Sequence, residues 1–309
     1  MSVGFLFPGQ GAQTVGMATD IAASEPVLAH RFEEASEAVG FDLAKVIREG
    51  PAEELNRTEI TQPAMLTVSV GLFDVWRARG GAAPAIAAGH SLGEYSALTA
   101  AGCMDFADAV RLVHERGKLM QAAVPEGEGA MAAILGLDDD VIAACCEKAG
   151  GIVAPANYNS PGQVVIAGAH DAVQRASAAC QEAGARRTVP LDVSVPSHCQ
   201  LMAPAGESLG QLLTAVELAP AQIPVVQNVD ATVADDPAGV REKLLAQLVS
   251  PVRWSASVKH MARQGVERFV ECGPGAVLAG LARRIDRKLV VRGIDTLDAL
   301  EAALTEFAA

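Results

Sequence analysis

Ala85-Ile86-Ala87-Ala88-Gly89-His90-Ser91-Leu92-Gly93-Glu94-Tyr95-Ser96-Ala97-Leu98 is the stretch from which the rest of the chain can be read. A short apolar run ends at Gly89, a helix-compatible run starts near Leu92, and Gly-His-Ser-Leu-Gly joins them. The pentapeptide fits Gly-x-Ser-x-Gly, the sharp turn that carries a serine from a strand into a helix. Backbone in such a turn is strained and crowded, so the serine needs small flanking residues. The turn lifts the hydroxyl clear of the sheet and leaves the Leu92 amide free to bind an oxyanion. The helix N-terminus behind Ser91 adds partial positive charge. An ordinary glycine-punctuated turn with a serine N-cap satisfies the same five letters. The strand before it and the helix after it favour a nucleophile in an α/β fold with a mostly parallel sheet.

On the N-terminal side, residues 4–7 read as a buried first strand that ends in Pro8-Gly9-Gln10-Gly11. Its two glycines suit either a plain turn or a backbone that approaches a ligand closely. Helices are expected over 18–39 and 51–55, and from Thr61-Gln62-Pro63 to Trp76, with Gln62 read as surface ahead of a helix-starting proline. On the C-terminal side, Asp105 is expected to N-cap a helix that Pro125 stops. Residues 126–192 then run strand (130–135), helix (138–149), strand (153–158), strand (163–167), helix (171–183), strand (187–191). That order is the ferredoxin-like unit, expected as a small lobe inserted into a large domain of 1–125 and 193–309, with a cleft between the lobes. Val193-Ser194-Val195-Pro196-Ser197-His198 brings the chain back, and Ser197 is expected to cap a helix starting near His198. Imidazole at a positive helix end stays neutral. Strands are expected at 224–229, 268–272 and 289–291, and helices at 237–249, 254–264, up to 284, and 296–307. There is no internal repeat, and the glycine-rich loops fit neither a Walker pattern nor the dinucleotide fingerprint.

Half of the 309 residues are apolar and a fifth are charged, the profile of a globular protein with a large core. No apolar run reaches membrane-spanning length and Met1-Ser2-Val3-Gly4-Phe5 lacks a secretory pattern, so a cytoplasmic protein is expected. Net charge is −13, which weighs against nucleic-acid and anionic-membrane partners. The six cysteines show no zinc-type pairing and read as reduced core residues. Cys199 beside His198 is assigned to packing, because adjacent helical side chains diverge by about 100°.

Arg116 stands out within its helix. Its neighbours three and four residues away are Leu112, Val113, Leu119 and Met120. A guanidinium on an apolar stripe with no local carboxylate snorkels, pairs with a distant acid, or awaits an anionic ligand. From the residues alone, a distant structural ion pair comes first. Among the histidines, His30, His114, His170 and His260 show no visible partner, and His90 is read as mattering for its backbone.

Gly-His-Ser-Leu-Gly-Glu-Tyr-Ser-Ala-Leu resembles the malonyl-CoA:acyl-carrier-protein transacylases, the discrete acyltransferases of bacterial fatty-acid synthesis. The likeness recurs at Phe7-Pro8-Gly9-Gln10-Gly11-Ala12-Gln13, Gln62-Pro63-Ala64, Arg116-Gly117-Lys118, Asn159-Ser160-Pro161-Gly162-Gln163, Val195-Pro196-Ser197-His198 and Gly273-Pro274-Gly275. It spans nearly the whole chain in the family's order. The resemblance implies a large α/β-hydrolase-like domain and several roles. Ser91 would be the nucleophile and His198 the base, with the Gln10 and Leu92 amides as the oxyanion hole. Arg116 would bind the free malonyl carboxylate, and the Gln247 carbonyl would hold His198 in place of an acid. Neither metal nor redox cofactor is implied; CoA and phosphopantetheine enter as handles on the substrates. The partners implied are malonyl-CoA and acyl carrier protein, an acidic partner that would need a local basic patch. Two other classes stay open at this point: a serine thioesterase sharing the elbow, and a non-catalytic carrier-binding module.

Overall fold

A computed structural model describes residues 2–192 and 195–308. Residues 193 and 194, where the sequence places the return to the large domain, lie outside the described residues. Nine strands occur among those described: β1 Val3–Phe7, β2 Pro84–Gly89, β3 Gly129–Leu135, β4 Val153–Ser160, β5 Gln163–Ala169, β6 Arg187–Pro190, β7 Val225–Val226, β8 Arg268–Glu271 and β9 Val290–Gly293. They form two sheets. The larger runs β7-β2-β1-β8-β9 with every pairing parallel. The smaller runs β4-β5-β3-β6 and is antiparallel.

β1 lies at the centre of the larger sheet and is buried along its whole length, as a strand covered by helices on both faces must be. Phe5 meets Phe73 edge-on at 5.4 Å, and Trp76 at 5.9 Å. Those two rings come from the helix Thr58–Ala78, which is buried almost all round. This helix starts before the expected Thr61 and carries Pro63 inside it. Proline there leaves the Glu59 carbonyl without its helical N–H donor. His114 Nδ1 supplies the missing hydrogen bond at 2.7 Å, so a histidine that showed no partner in sequence has a structural one.

Residues 18–39 divide into Thr19–Ser24 and Pro26–Val39, because Glu25 is extended ahead of Pro26. Leu43–Glu49 is a further helix, absent from the sequence reading, whose N-cap Asp42 accepts from Lys45 N. The expected strand 224–229 shrinks to Val225–Val226.

β3, β4, β5 and β6, with helices Asp139–Ala149 and His170–Glu182, make the expected ferredoxin-like order. Ile134, Ile142, Val164, Ile166, Val173 and Cys180 pack into their own core. Tyr158 N donates to Val252 O at 2.9 Å and Val252 N to Ala156 O at 2.8 Å, which ties β4 to the chain beside the larger sheet. Cys199 packs against Met131, Ala156, Val165 and Ala167, consistent with a packing role. No helix among the described residues is long and apolar enough to cross a membrane.

Candidate active site

The elbow forms as its sequence demands. β2 ends at Gly89, the helix Leu92–Ala100 begins one residue after Ser91, and Ser91 sits at φ 53°, ψ −110°. That conformation costs a non-glycine residue about 1–3 kcal/mol and persists only where the surroundings enforce it. The flanking glycines explain how the chain closes so tightly. A Cβ on Gly89 would lie 1.8 Å from Gly93 O, and one on Gly93 would lie 2.0 Å from Phe7 O. Gly93→Ala is therefore expected to push β1's end away from the elbow, at a cost of at least the ~1–3 kcal/mol of an overpacked core. A thermal melt reads the loss, and kcat falls with it because Gln10 follows Phe7. Unchanged Tm and kcat would refute the contact.

Ser91 Oγ lies 2.7 Å from His198 Nε2, and His198 Nδ1 lies 2.9 Å from the Gln247 main-chain carbonyl. A carbonyl only accepts, so Nδ1 carries the proton and Nε2 presents a lone pair to the serine hydroxyl. His198 is not at a helix start: it lies in a turn at φ 62°, and the next helical turn begins only at Gln200. Among the described residues Ser197 caps no helix, and its Oγ reaches Val195 O at 3.5 Å. What keeps the ring neutral is burial, aided by the Arg116 charge, and these bring its pKa down to about 3.

The Ser91 amide donates to Asn228 Oδ1 at 2.8 Å, that of Gly93 to His90 O and that of Glu94 to Ser91 O. Among the described residues this leaves the Leu92 amide as the free one of the turn. Gln10, Ser91, Leu92, Arg116 and His198 line one cavity of about 140 Å³. A larger cleft of about 560 Å³ opens near Arg31 and Asp74, but those two charges bond each other at 2.8 Å, and burial pushes the pKa of its one thiol, Cys103, up, away from thiolate.

Arg116 is 1% exposed and makes no ion pair among the described residues, so the expected distant acid is not bonded to it. Nη1 donates to Gln62 Oε1 at 2.8 Å, Nη2 to Gln247 Oε1 at 3.1 Å, and Nε has no partner. The guanidinium carbon stands 5.3 Å from the Tyr95 ring centroid. Two neutral amides thus aim the fork without cancelling its charge. Gln62, read as surface, is buried for this purpose.

Four residues at the site escaped sequence reasoning. Glu94 looks like a routine acid in a helix's first turn but is wholly buried. Gln227 and Asn228 follow β7; polar amides past the carboxyl end of a parallel strand were the available signal. The His90 ring is also engaged, its Nε2 donating to Asn159 Oδ1 on β4 at 2.8 Å. Among the described residues no cluster of metal-ligating side chains occurs.

Comparison with known proteins places this geometry. The acyl transferase domain family matches residues 4–292. The malonyl CoA-acyl carrier protein transacylase of Escherichia coli K12 is 57% identical over 302 residues, covering 97% of this chain and 98% of the relative. The structure of the malonyl CoA-acyl carrier protein transacylase from Coxiella burnetii superposes with a TM-score of 0.98 at 43% identity, covering 100% of this chain and 98% of the other. A malonyl-transacylase in complex with a type II PKS acyl-carrier protein matches at TM-score 0.97 and 49% identity, covering 99% and 100%.

Proposed function

The chain belongs to the malonyl-CoA:acyl-carrier-protein transacylase family within the acyl transferases, and on that premise we propose how its residues move malonyl from CoA to a carrier's phosphopantetheine thiol. The observation that carries the reading is the 2.7 Å contact between Ser91 Oγ and His198 Nε2, at a cavity that Arg116 also lines.

In the first half-reaction His198 Nε2 takes the Ser91 proton as Oγ attacks the thioester carbon. The amides of Gln10 and Leu92 receive the oxyanion. The tetrahedral intermediate collapses with loss of CoA thiolate, which takes the proton from His198 and leaves malonyl-Ser91. In the second, His198 deprotonates the phosphopantetheine thiol, which attacks the ester and restores Ser91. The Gln247 carbonyl fixes the tautomer throughout, and Arg116 holds the malonyl carboxylate. Protein groups carry every step, and CoA and phosphopantetheine serve as handles. We assign residues 126–192 to an inserted subdomain within a domain of 1–125 and 193–309, and the cytoplasm as the place of work.

Intact-mass spectrometry tests the reading. Brief exposure to malonyl-CoA is expected to add one malonyl group to the protein, and holo acyl carrier protein is expected to remove it as malonyl-carrier. Discharge to free malonate faster than to the thiol would make the enzyme a thioesterase. Absence of any adduct would make it a binding module.

A further inference from the structure

Resting on the transferase reading above, we propose that Glu94 is the displaced carboxylate of this catalytic centre. It is a positioning residue that orders Ser91, and sets the charge balance around His198 and Arg116, through the side chains of Asn228 and Gln247. Glu94 is 0% exposed and stands three residues after the nucleophile. Its Oε2 accepts from Asn228 N at 3.0 Å and from Gln247 Nε2 at 3.0 Å, and its Oε1 accepts from Gln227 Nε2 at 3.3 Å.

Two of these donors pass the contact on to Ser91. Asn228 Oδ1 accepts the Ser91 N–H at 2.8 Å while its Nδ2 donates to Gly89 O at 2.7 Å. Gln247 Nε2 donates to Ser91 O at 2.9 Å. Both peptide groups of the strained serine are therefore pinned by side-chain amides. An amide presents a donor at one end and an acceptor at the other, so it orients its neighbours only if something orients it. The acceptor-only Glu94 carboxylate holds the Gln247 amide directly, and it fixes Asn228 through that residue's main-chain N–H, which sets where its side-chain amide sits. The sparsely populated conformation of Ser91 needs such enforcement.

The charges give Glu94 a second effect. Arg116, without a bonded carboxylate, opposes formation of imidazolium on His198. The Gln247 side chain spans the gap, giving Oε1 to Arg116 Nη2 at 3.1 Å and Nε2 to Glu94 at 3.0 Å. In a serine–histidine–acid triad the acid sits on the histidine Nδ1. Here the Gln247 carbonyl has that seat, and the acid stands one residue behind, on the same glutamine's side chain. Its negative charge offsets Arg116 when His198 takes up the serine proton.

Burial pushes Glu94 up to about 7, against the lowering effect of its amide donors and of Arg116. Its charged and titratable neighbours are Arg116, on the helix Phe106–Ala123, and Tyr95 beside it; the segments bearing Gln227, Asn228 and Gln247 offer it neutral amides. His198 titrates far lower, and Glu271, also pushed up to about 7, does not line the Ser91 cavity, so a limb near neutrality that Glu94→Gln removes belongs to Glu94.

The test is rapid-quench measurement of malonyl-enzyme formation at saturating malonyl-CoA, from about pH 5.5 to 8.5, on wild type, Glu94→Gln and Gln247→Leu. Wild type is expected to slow as pH falls through about 7. Glu94→Gln is expected to be slower by about 10- to 100-fold at the alkaline end, with the limb gone and KM for malonyl-CoA changed by less than about 3-fold. The substitution is accommodated, because Gln227 Oε1 lacks a partner and can accept from the new amide after a flip. Gln247→Leu keeps the carbonyl for His198 but cuts the bridge, and a similar slowing is expected; if Glu94→Gln does not fold, this variant and the wild-type limb decide. A wild-type rate in either variant, a limb that survives in Glu94→Gln, or no limb in wild type would overturn the proposal. An adduct that fails to form even on wild type would instead sink the transferase reading itself.

Discussion

Ser91→Ala acquires no malonyl adduct from malonyl-CoA, and His198→Ala acquires it about 10²–10⁴-fold more slowly than wild type, the span usual for a lost general base. The first outcome follows from the loss of the hydroxyl oxygen that lies 2.7 Å from His198 Nε2. The second follows from the tautomer. With Nδ1 committed to the Gln247 carbonyl, Nε2 is the one lone pair facing the hydroxyl. A base whose pKa is held at about 3 is a weak one, and its usefulness comes from contact geometry and from staying unprotonated at neutral pH. The double variant Ser91→Ala/His198→Ala is expected to be no slower than Ser91→Ala, since the two groups act as a unit. Steady-state transfer and intact mass, with folding checked by thermal melt, measure all three. An adduct on Cys199 or any residue but Ser91 would break the assignment. A further additive loss in the double variant would show two independent contributions.

Arg116→Ala is expected to lower kcat/KM for malonyl-CoA by about 10²-fold, the worth of a charge-assisted bidentate contact in a partly dry site. Transfer from acetyl-CoA, which has no carboxylate to lose, is expected to hold or rise. The structure sharpens this expectation in two ways. Gln62 and Gln247 each take one nitrogen, so the fork is held in place before substrate arrives. Among the described residues Nε has no partner and no carboxylate is bonded to the fork. Arg116→Lys restores only part of the malonyl rate, since ammonium brings charge without the planar fork. The measurement is kcat/KM for both thioesters on wild type and both variants. An equal fall for malonyl and acetyl would assign Arg116 to holding Gln62 and Gln247 rather than substrate.

Gln247 shows how a residue's role divides between what sequence carries and what it does not. Resemblance pointed to its main-chain carbonyl, which implied a dispensable side chain. In the structure that side chain touches Arg116, Ser91 and Glu94. A backbone role leaves no mark on residue identity, whereas these three contacts require an amide with both a donor and an acceptor end.

The sequence by itself determined the strands other than the extent of the one at Val225–Val226, the order of the ferredoxin-like unit, and the elbow at Ser91. Each rests on local physics: runs of buried apolar residues, turn glycines that admit no Cβ, and an N-cap such as Asp105, whose side chain accepts from Asp108 N. It also exposed Arg116 as a charge on an apolar stripe, because helical spacing makes neighbours at three and four residues readable. Only the tertiary structure decided what those residues meet. His198 is 107 positions from Ser91, and Gln247 is 131 from Arg116. His198 is neutral through burial beside Arg116 rather than through a helix end, because that helix does not start there. Glu94 reads as a solvated first-turn acid until Asn228 and Gln247 close over it. Patterns along the chain report which face of an element is buried. Which polar groups share that burial depends on how distant elements pack, and no local period encodes it.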